Sequence, residues 1–111
     1  MALSITNFGP TVGTSPWFVV SASTTKTDQT DDSMLQVHIG LSNMTASEQY
    51  RIRLYEKING VQVVYMEIIK TGAQSRPVVI PGLIVGEGWE IEITKLAGTD
   101  RVINVSLRKA T

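Results

Sequence analysis

Apolar residues in this chain recur at every second position, in one run after another, and no window shows the three-to-four spacing of a helix. Leu35, Val37, Ile39 and Leu41 alternate with Gln36, His38 and Gly40; Ile91 and Ile93 alternate with Glu90, Glu92 and Thr94; Ile103, Val105 and Leu107 alternate with Asn104, Ser106 and Arg108. A period of two is the repeat of a strand with one face buried, since successive side chains leave the backbone on opposite sides. Turn-forming residues separate these runs at fairly regular intervals. The pattern predicts an all-β fold: a single-domain antiparallel β-sandwich or small barrel of six to seven strands, with little helix. A chain of 111 residues can bury roughly 60–70% of its unfolded surface and so carry one real core, but not two.

Residues 1–15 mix Asn7, Gly9, Pro10, Gly13 and Ser15 with isolated apolar positions. They neither alternate cleanly nor support a helix, and read as an extended N-terminal arm preceding a sandwich domain over 16–111. Pro16 opens the aromatic and β-branched run Trp17-Phe18-Val19-Val20, which suits a first strand. A solvated loop over 26–33 leads to the second strand, Leu35 to Leu41. Two further strands, over 50–57 and 61–70, flank Ile58-Asn59-Gly60. A two-residue Asn59-Gly60 turn would set Ile52 against Glu67 and Arg51 against Ile68, charge against apolar on both faces. A three-residue loop with Gly60 left-handed instead pairs Tyr50 with Ile68, Ile52 with Met66 and Leu54 with Val64, with Arg51 opposite Glu67. The second register is expected, because a one-residue slip moves a whole apolar set to the wrong face. A short strand over 77–80 is expected to end at Pro81-Gly82. A closing hairpin around Gly98-Thr99-Asp100 is expected to pair Ile93 with Val105, Ile91 with Leu107 and Glu90 with Arg108.

Composition removes several kinds of chemistry. Zero cysteines leave no disulfide, thiolate metal site or cysteine nucleophile, and one histidine leaves little for acid-base work. Ten basic and ten acidic residues cancel, so general attraction to nucleic acid or to an anionic membrane is not expected, while near-zero net charge favours association. No apolar run approaches the ~20 residues of a membrane span. Residues 1–7 lack the basic start and apolar core of a signal peptide, so synthesis in a cytoplasm is expected.

Each candidate site has a simpler structural reading. His38 sits near Asp31, Asp32, Ser33 and Ser42, but no nucleophile elbow accompanies it, and an outer-face histidine is the expectation. Asp28, Asp31 and Asp32 lack the spacing and glycine of a calcium loop. Glu90 and Glu92 share the face opposite Ile91 and Ile93, where an exposed cross-strand pair with Arg108 accounts for them better than a pair of glycosidase acids with Glu87. Gly82, Gly86 and Gly88 lack the strand-to-helix context and the lysine of a phosphate loop. Trp17, Trp89 and Tyr50 are expected in the core. Tyr55 and Tyr65 fall on the other strand face, beside Arg51 and Arg53, and are candidate protein contacts. The sequons at Asn43 and Asn104 read as coincidental without a secretion signal. No catalytic residue, cofactor site or metal site is expected.

The segment from Gly86 to Lys109 carries a further signal. Its Gly88-Trp89-Glu90 opening, its Ile93-Thr94-Lys95 strand, the turn Ala97-Gly98-Thr99-Asp100-Arg101 and the closing Ser106-Leu107-Arg108 resemble the C-terminal hairpin of small bacteriophage virion proteins with a β-sandwich fold. The resemblance covers about a quarter of the chain. It implies a structural virion protein, a capsid decoration or head-accessory subunit that binds and reinforces an assembled shell, formed in the host cytoplasm. Its partners would be the major capsid protein or other virion subunits. Subunits of the decoration type are often trimers, so a homo-oligomer is implied, a trimer among the states open. Ile5, Phe8 and Val12, spaced along the arm, join Tyr55 and Tyr65 as the expected contact residues. The alternative is a glycan-binding or adhesin sandwich of a phage surface or tail structure, which would need an exposed aromatic platform. An enzyme ranks third.

Overall fold

The computed structural model describes residues 3–30 and 32–110. Ten strands follow in order: β1 (Leu3–Phe8), β2 (Thr11–Val12), β3 (Trp17–Phe18), β4 (Ser33–Gly40), β5 (Gln49–Ile58), β6 (Val61–Thr71), β7 (Val78–Val85), β8 (Glu90–Ala97), β9 (Arg101–Val102) and β10 (Asn104–Ala110). No helix occurs among the described residues. Sheet I has the order β1-β10-β4-β7, sheet II the order β3-β8-β5-β6, and β2 pairs with β9 in a two-stranded ribbon beside them. All pairings are antiparallel. The two four-stranded sheets form a sandwich around one core that includes Leu35, Val37, Ile39, Tyr50, Ile52, Leu54, Trp89, Ile91, Ile93, Val105 and Leu107.

The pairings nest. Strand β1 pairs with β10, β2 with β9, β3 with β8, β4 with β7 and β5 with β6. The chain is thus a long two-stranded ribbon closed at the Asn59-Gly60 turn and folded over, so that its major pairs fall alternately in the two sheets. The β10·β4 and β8·β5 pairings are made by that folding. This interleaving is the topology of an eight-stranded jelly roll, with the β2·β9 ribbon added.

Nesting overturns the expected closing hairpin. Strands β8 and β10 lie in opposite sheets, and the segment around Gly98 carries the chain from one to the other. Ile91, Ile93, Val105 and Leu107 are all buried as expected, but they meet across the interior instead of along a shared ladder. Glu90 stands opposite Tyr55, not Arg108.

The middle hairpin does not take the expected register: Tyr50 faces Lys70, not Ile68, and none of the four expected pairs forms, although Ile52 and Leu54 still meet apolar partners. Asn59 and Gly60 both have positive φ, 51° and 79°, the geometry of a two-residue type I′ turn whose twist suits the flanking strands. Near the turn Ile58 faces Val61 and Tyr55 faces Val64; beyond a bulge at Tyr65, Leu54 faces Met66, Ile52 faces Ile68 and Arg53 faces Glu67. The extra residue that keeps apolar against apolar sits in the strand, not in the loop, so Arg51 faces Ile69 instead of Glu67. Pro81-Gly82 likewise does not end a strand. Strand β7 runs through it, the register against β4 shifts between Leu35 and Val37, and Gly82 takes a φ of 63°. A free edge tolerates the proline because no ladder bond is needed on that side.

The described part of the expected arm is extended, but it is paired to its own chain. Residues 3–8 form the edge of sheet I, and residues 11–12 pair with β9. Val12 is only 1% exposed, inside the core. Seven strands have six or more residues; the three additional ones have two residues each.

Candidate functional site

Three polar or apolar arrangements stand out from the core, and each follows from strand periodicity. The first closes one end of the sandwich. Glu48 precedes β5 and is almost fully buried; its carboxylate accepts the Thr45 N–H at 2.7 Å and the Thr99 N–H at 2.7 Å, and both oxygens meet Arg101 Nε at 2.9 and 3.1 Å. The Arg101 bond, helped by the Thr45 N–H, outweighs burial and holds the Glu48 carboxyl at about 2. Beside it the Tyr50 hydroxyl donates to the Val12 carbonyl at 2.8 Å and accepts the Arg101 N–H at 2.9 Å. Gly98, with φ at 94°, is required here twice over: a Cβ would lie 2.4 Å from Glu48 Cγ. The β8-to-β10 crossing is therefore pinned by one carboxylate and one phenol.

The second arrangement covers the outer face of sheet II. Glu90, Glu92 and Thr94 point away from the core, yet all three are buried. The turn after β3 folds over Glu90, whose carboxylate accepts the N–H groups of Val20 and Ser21 at 3.0 Å each, the Ser21 hydroxyl at 2.6 Å and the Ile91 N–H at 2.8 Å. This turn contains Ala22 at φ 52°, an uncommon conformation for a residue with a Cβ. Glu92 accepts the Tyr55 hydroxyl at 2.6 Å, the Thr94 hydroxyl at 2.9 Å and Arg51 at 3.1 Å. Burial pushes the Glu92 carboxyl up, but these three donors together hold it below its ordinary range. Arg53 pairs with Glu67 at 2.9 Å, and Lys26 lies over the Tyr55 ring at 5.0 Å and bonds Gln62. The expectation of exposed, dispensable acids at 90 and 92 is corrected. A segment some 70 positions away in sequence covers the first, and Phe18 stands opposite the second.

The third arrangement is the outer face of sheet I, and here nothing comparable among the described residues covers the strands. Register places Leu3, Ala110, Met34 and Ile84 in one row across all four strands. Leu3 is 72% exposed, Met34 51% and Ile84 74%. The next row holds Ile5, also exposed, with Arg108 and Gln36, and the row after that Asn7, Ser106, His38 and Val79. An antiparallel sheet with a solvated face normally presents polar residues there. One half of this face does so; the other half is aliphatic.

The sequence-predicted contact residues are scattered across these regions. Ile5 lies on the exposed half-face of sheet I. Phe8 packs on the core, edge-to-face with Trp17 at 5.7 Å, and Val12 is interior. Tyr55 is tied to Glu92, while Tyr65, at the β6 bulge, is 49% exposed. Trp89 and Tyr50 are core residues as expected. His38 is half-buried among Asn7, Asn104 and Ser106, with Gln36 Nε2 2.8 Å from its Nε2. Asp28 pairs with Lys26 at 2.8 Å, Asp32 is exposed, and Asp31 lies outside the described residues. Among the described residues no three His, Asp or Glu side chains gather as a metal site would need. Sequence reading missed Met34 and Ile84. Their signal is the broken alternation of Met34-Leu35 and Leu83-Ile84-Val85, where an apolar residue takes the polar phase.

Further exposed apolar residues lie on both faces of the β5–β6 hairpin: register puts Ile58 and Val61 on the face of Leu54 and Met66, and Val64 and Ile69 on the face of Tyr55 and Arg51. Ile58 and Val61 at the hairpin tip, with Val64, Tyr65 and Ile69 along β6, are all 46% exposed or more. Strand β6 is also an edge strand of its sheet. No protein-family model matches this chain, and no curated protein does.

Proposed function

We propose that this protein is a non-enzymatic structural subunit of a phage virion, of the decoration or head-accessory type, that attaches to an assembled shell. One observation carries the reading: exposed aliphatic side chains stand on the outer face of sheet I and again on the β5–β6 hairpin, on a domain whose core is otherwise closed. A protein working alone in water rarely keeps contiguous apolar patches, whereas a subunit of an assembly needs one for each kind of neighbour. The jelly-roll topology is compatible with this use, since capsid and lectin domains share it, although a fold by itself does not assign a function. Shell attachment is assigned to the β5–β6 hairpin. It combines an edge strand, able to add a strand from a partner, with Val61, Val64 and Tyr65 as anchors, and many copies make a weak contact sufficient.

The glycan-binding alternative calls for an aromatic platform. Trp89 and Tyr50 are interior and the Tyr55 hydroxyl is committed to Glu92, which leaves Tyr65 as the exposed aromatic ring. The test is occupancy on preassembled shells of the encoding phage. The intact protein should be found in purified virions, and a Val61→Asp/Val64→Asp variant should fold but fail to bind shells. Absence of the protein from virions would sink the reading. Removing residues 3–15 is a poorer probe, because it deletes a strand of sheet I and a core residue along with any contact.

A further inference from the structure

We infer that the aliphatic half-face of sheet I is covered by a second copy of this chain, in a two-fold, face-to-face dimer. The row Leu3, Ala110, Met34 and Ile84 is flanked by charges of opposite sign. Arg108, exposed on β10, lies one row to one side of it. Exposed Asp32, just before β4, lies on the other side, in a depression it shares with Met34, Ile84, Ala110 and Glu56. A two-fold axis running along the row and between two such faces sends each side onto the opposite side of the partner. Leu3, Met34 and Ile84 then meet the partner's aliphatic row, and Arg108 of each copy stands over Asp32 of the other. The contact is self-complementary in shape of pattern and in charge, as an isologous interface must be. The other sheet offers no such row across its strands, because the middle of its outer face is occupied by the Glu90 and Glu92 networks.

The size of the patch sets the strength. Four strands about 4.8 Å apart and three rows deep amount to several hundred Å² per copy, less than the roughly 800 Å² of a standard interface. Association is therefore weak and concentration-dependent in free solution, and favoured where copies are held side by side. The dimer is a property of the isolated protein. A failed dimer leaves shell attachment through the β5–β6 hairpin standing, and a failed shell contact leaves the dimer standing.

Sedimentation velocity on the purified chain, from about 10 µM to about 1 mM, where contacts of this strength titrate, tests it. The expected result is a monomer–dimer shift across that range. Met34→Asp and Ile84→Asp should each stay monomeric throughout with unchanged thermal unfolding, both side chains being at least half exposed. Arg108→Asp and Asp32→Arg should each weaken the dimer at least tenfold, and the double exchange should recover most of the loss. A chain that stays monomeric throughout, a dimer indifferent to Met34→Asp, or a double exchange no better than the single ones would overturn the inference. A trimer would overturn it too, since an isologous contact closes at two copies.

Discussion

The outer faces of the two sheets began from the same rule and ended differently. Both belong to antiparallel sheets whose inner faces are aliphatic, and both are expected to meet water. On sheet II the chain instead built a second, polar layer: the turn after β3 closes over Glu90, and Tyr55, Thr94 and Arg51 converge on Glu92. On sheet I the corresponding positions include Leu3, Ile5, Met34 and Ile84, left without a cover among the described residues. Charged groups that are buried must be saturated by fixed donors, because an unpaired one costs several kcal/mol. Exposed aliphatic groups carry no such demand on the monomer. One face is therefore committed to holding the fold together, and the other is free to be used.

That contrast can be broken by substitution. The largest effect is expected at Glu90→Ala, which strands the N–H groups of Val20, Ser21 and Ile91 and the Ser21 hydroxyl and should cost about 3–5 kcal/mol in chemical denaturation. Glu92→Ala follows. It deprives Tyr55, Thr94 and Arg51 of one acceptor, for about 2–4 kcal/mol, where a sequence reading of an exposed acid gives nearly nothing. If either variant unfolds like the parent, the polar layer is not structural.

Acid offers a reversible version of the same attack. Glu48 is held at about 2, below its ordinary 4.5, and Glu92 is also lowered. A carboxylate with a depressed folded-state pKa contributes its full stabilisation above 4.5 and loses it as the pH falls through the folded-state value. The melting temperature should therefore drop steadily between pH 4.5 and about 2, and Glu48→Gln should lower stability at neutral pH while flattening that acid limb. A smaller effect tests the hairpin turn. Gly60→Ala meets no atom within 4 Å, so only its positive φ opposes it, at about 1 kcal/mol. The smallest lies on the open face: Met34→Ala should change monomer stability by less than about 0.5 kcal/mol, a thermal-melt null that sharpens the difference between the faces.

Much of the fold was legible in period two. The inward residues of β4, β5, β8 and β10 read directly from alternation, as did the all-β class and the left-handed Gly60. Partner choice was not legible. The Gly98 turn has the composition of a hairpin, yet β8 is drawn to β5 and β3 while β10 is drawn to β4 and β1, because nested pairing buries both sheets and a local hairpin would not. The bulges at Tyr65 and at Pro81-Gly82 were hidden for a related reason: each repairs a mismatch of register set elsewhere. Burial of Glu90 and Glu92 depends on a distant turn, and no local window reports it. The open half-face was readable in principle, in the out-of-phase Met34 and Ile84.

The pairing of β1 with β10 reaches beyond the finished structure. Sheet I has β10 as an interior strand, so residues 3–8 have no ladder partner, and β4 lacks one of its two, until residues 104–110 have left the ribosome. Contacts between such distant segments are slow to form, because the intervening chain must be closed first. During synthesis Leu3, Ile5 and Phe8 are therefore a waiting, unpaired apolar strand. A stop before residue 104 would therefore leave sheet I with a missing centre instead of a shortened edge.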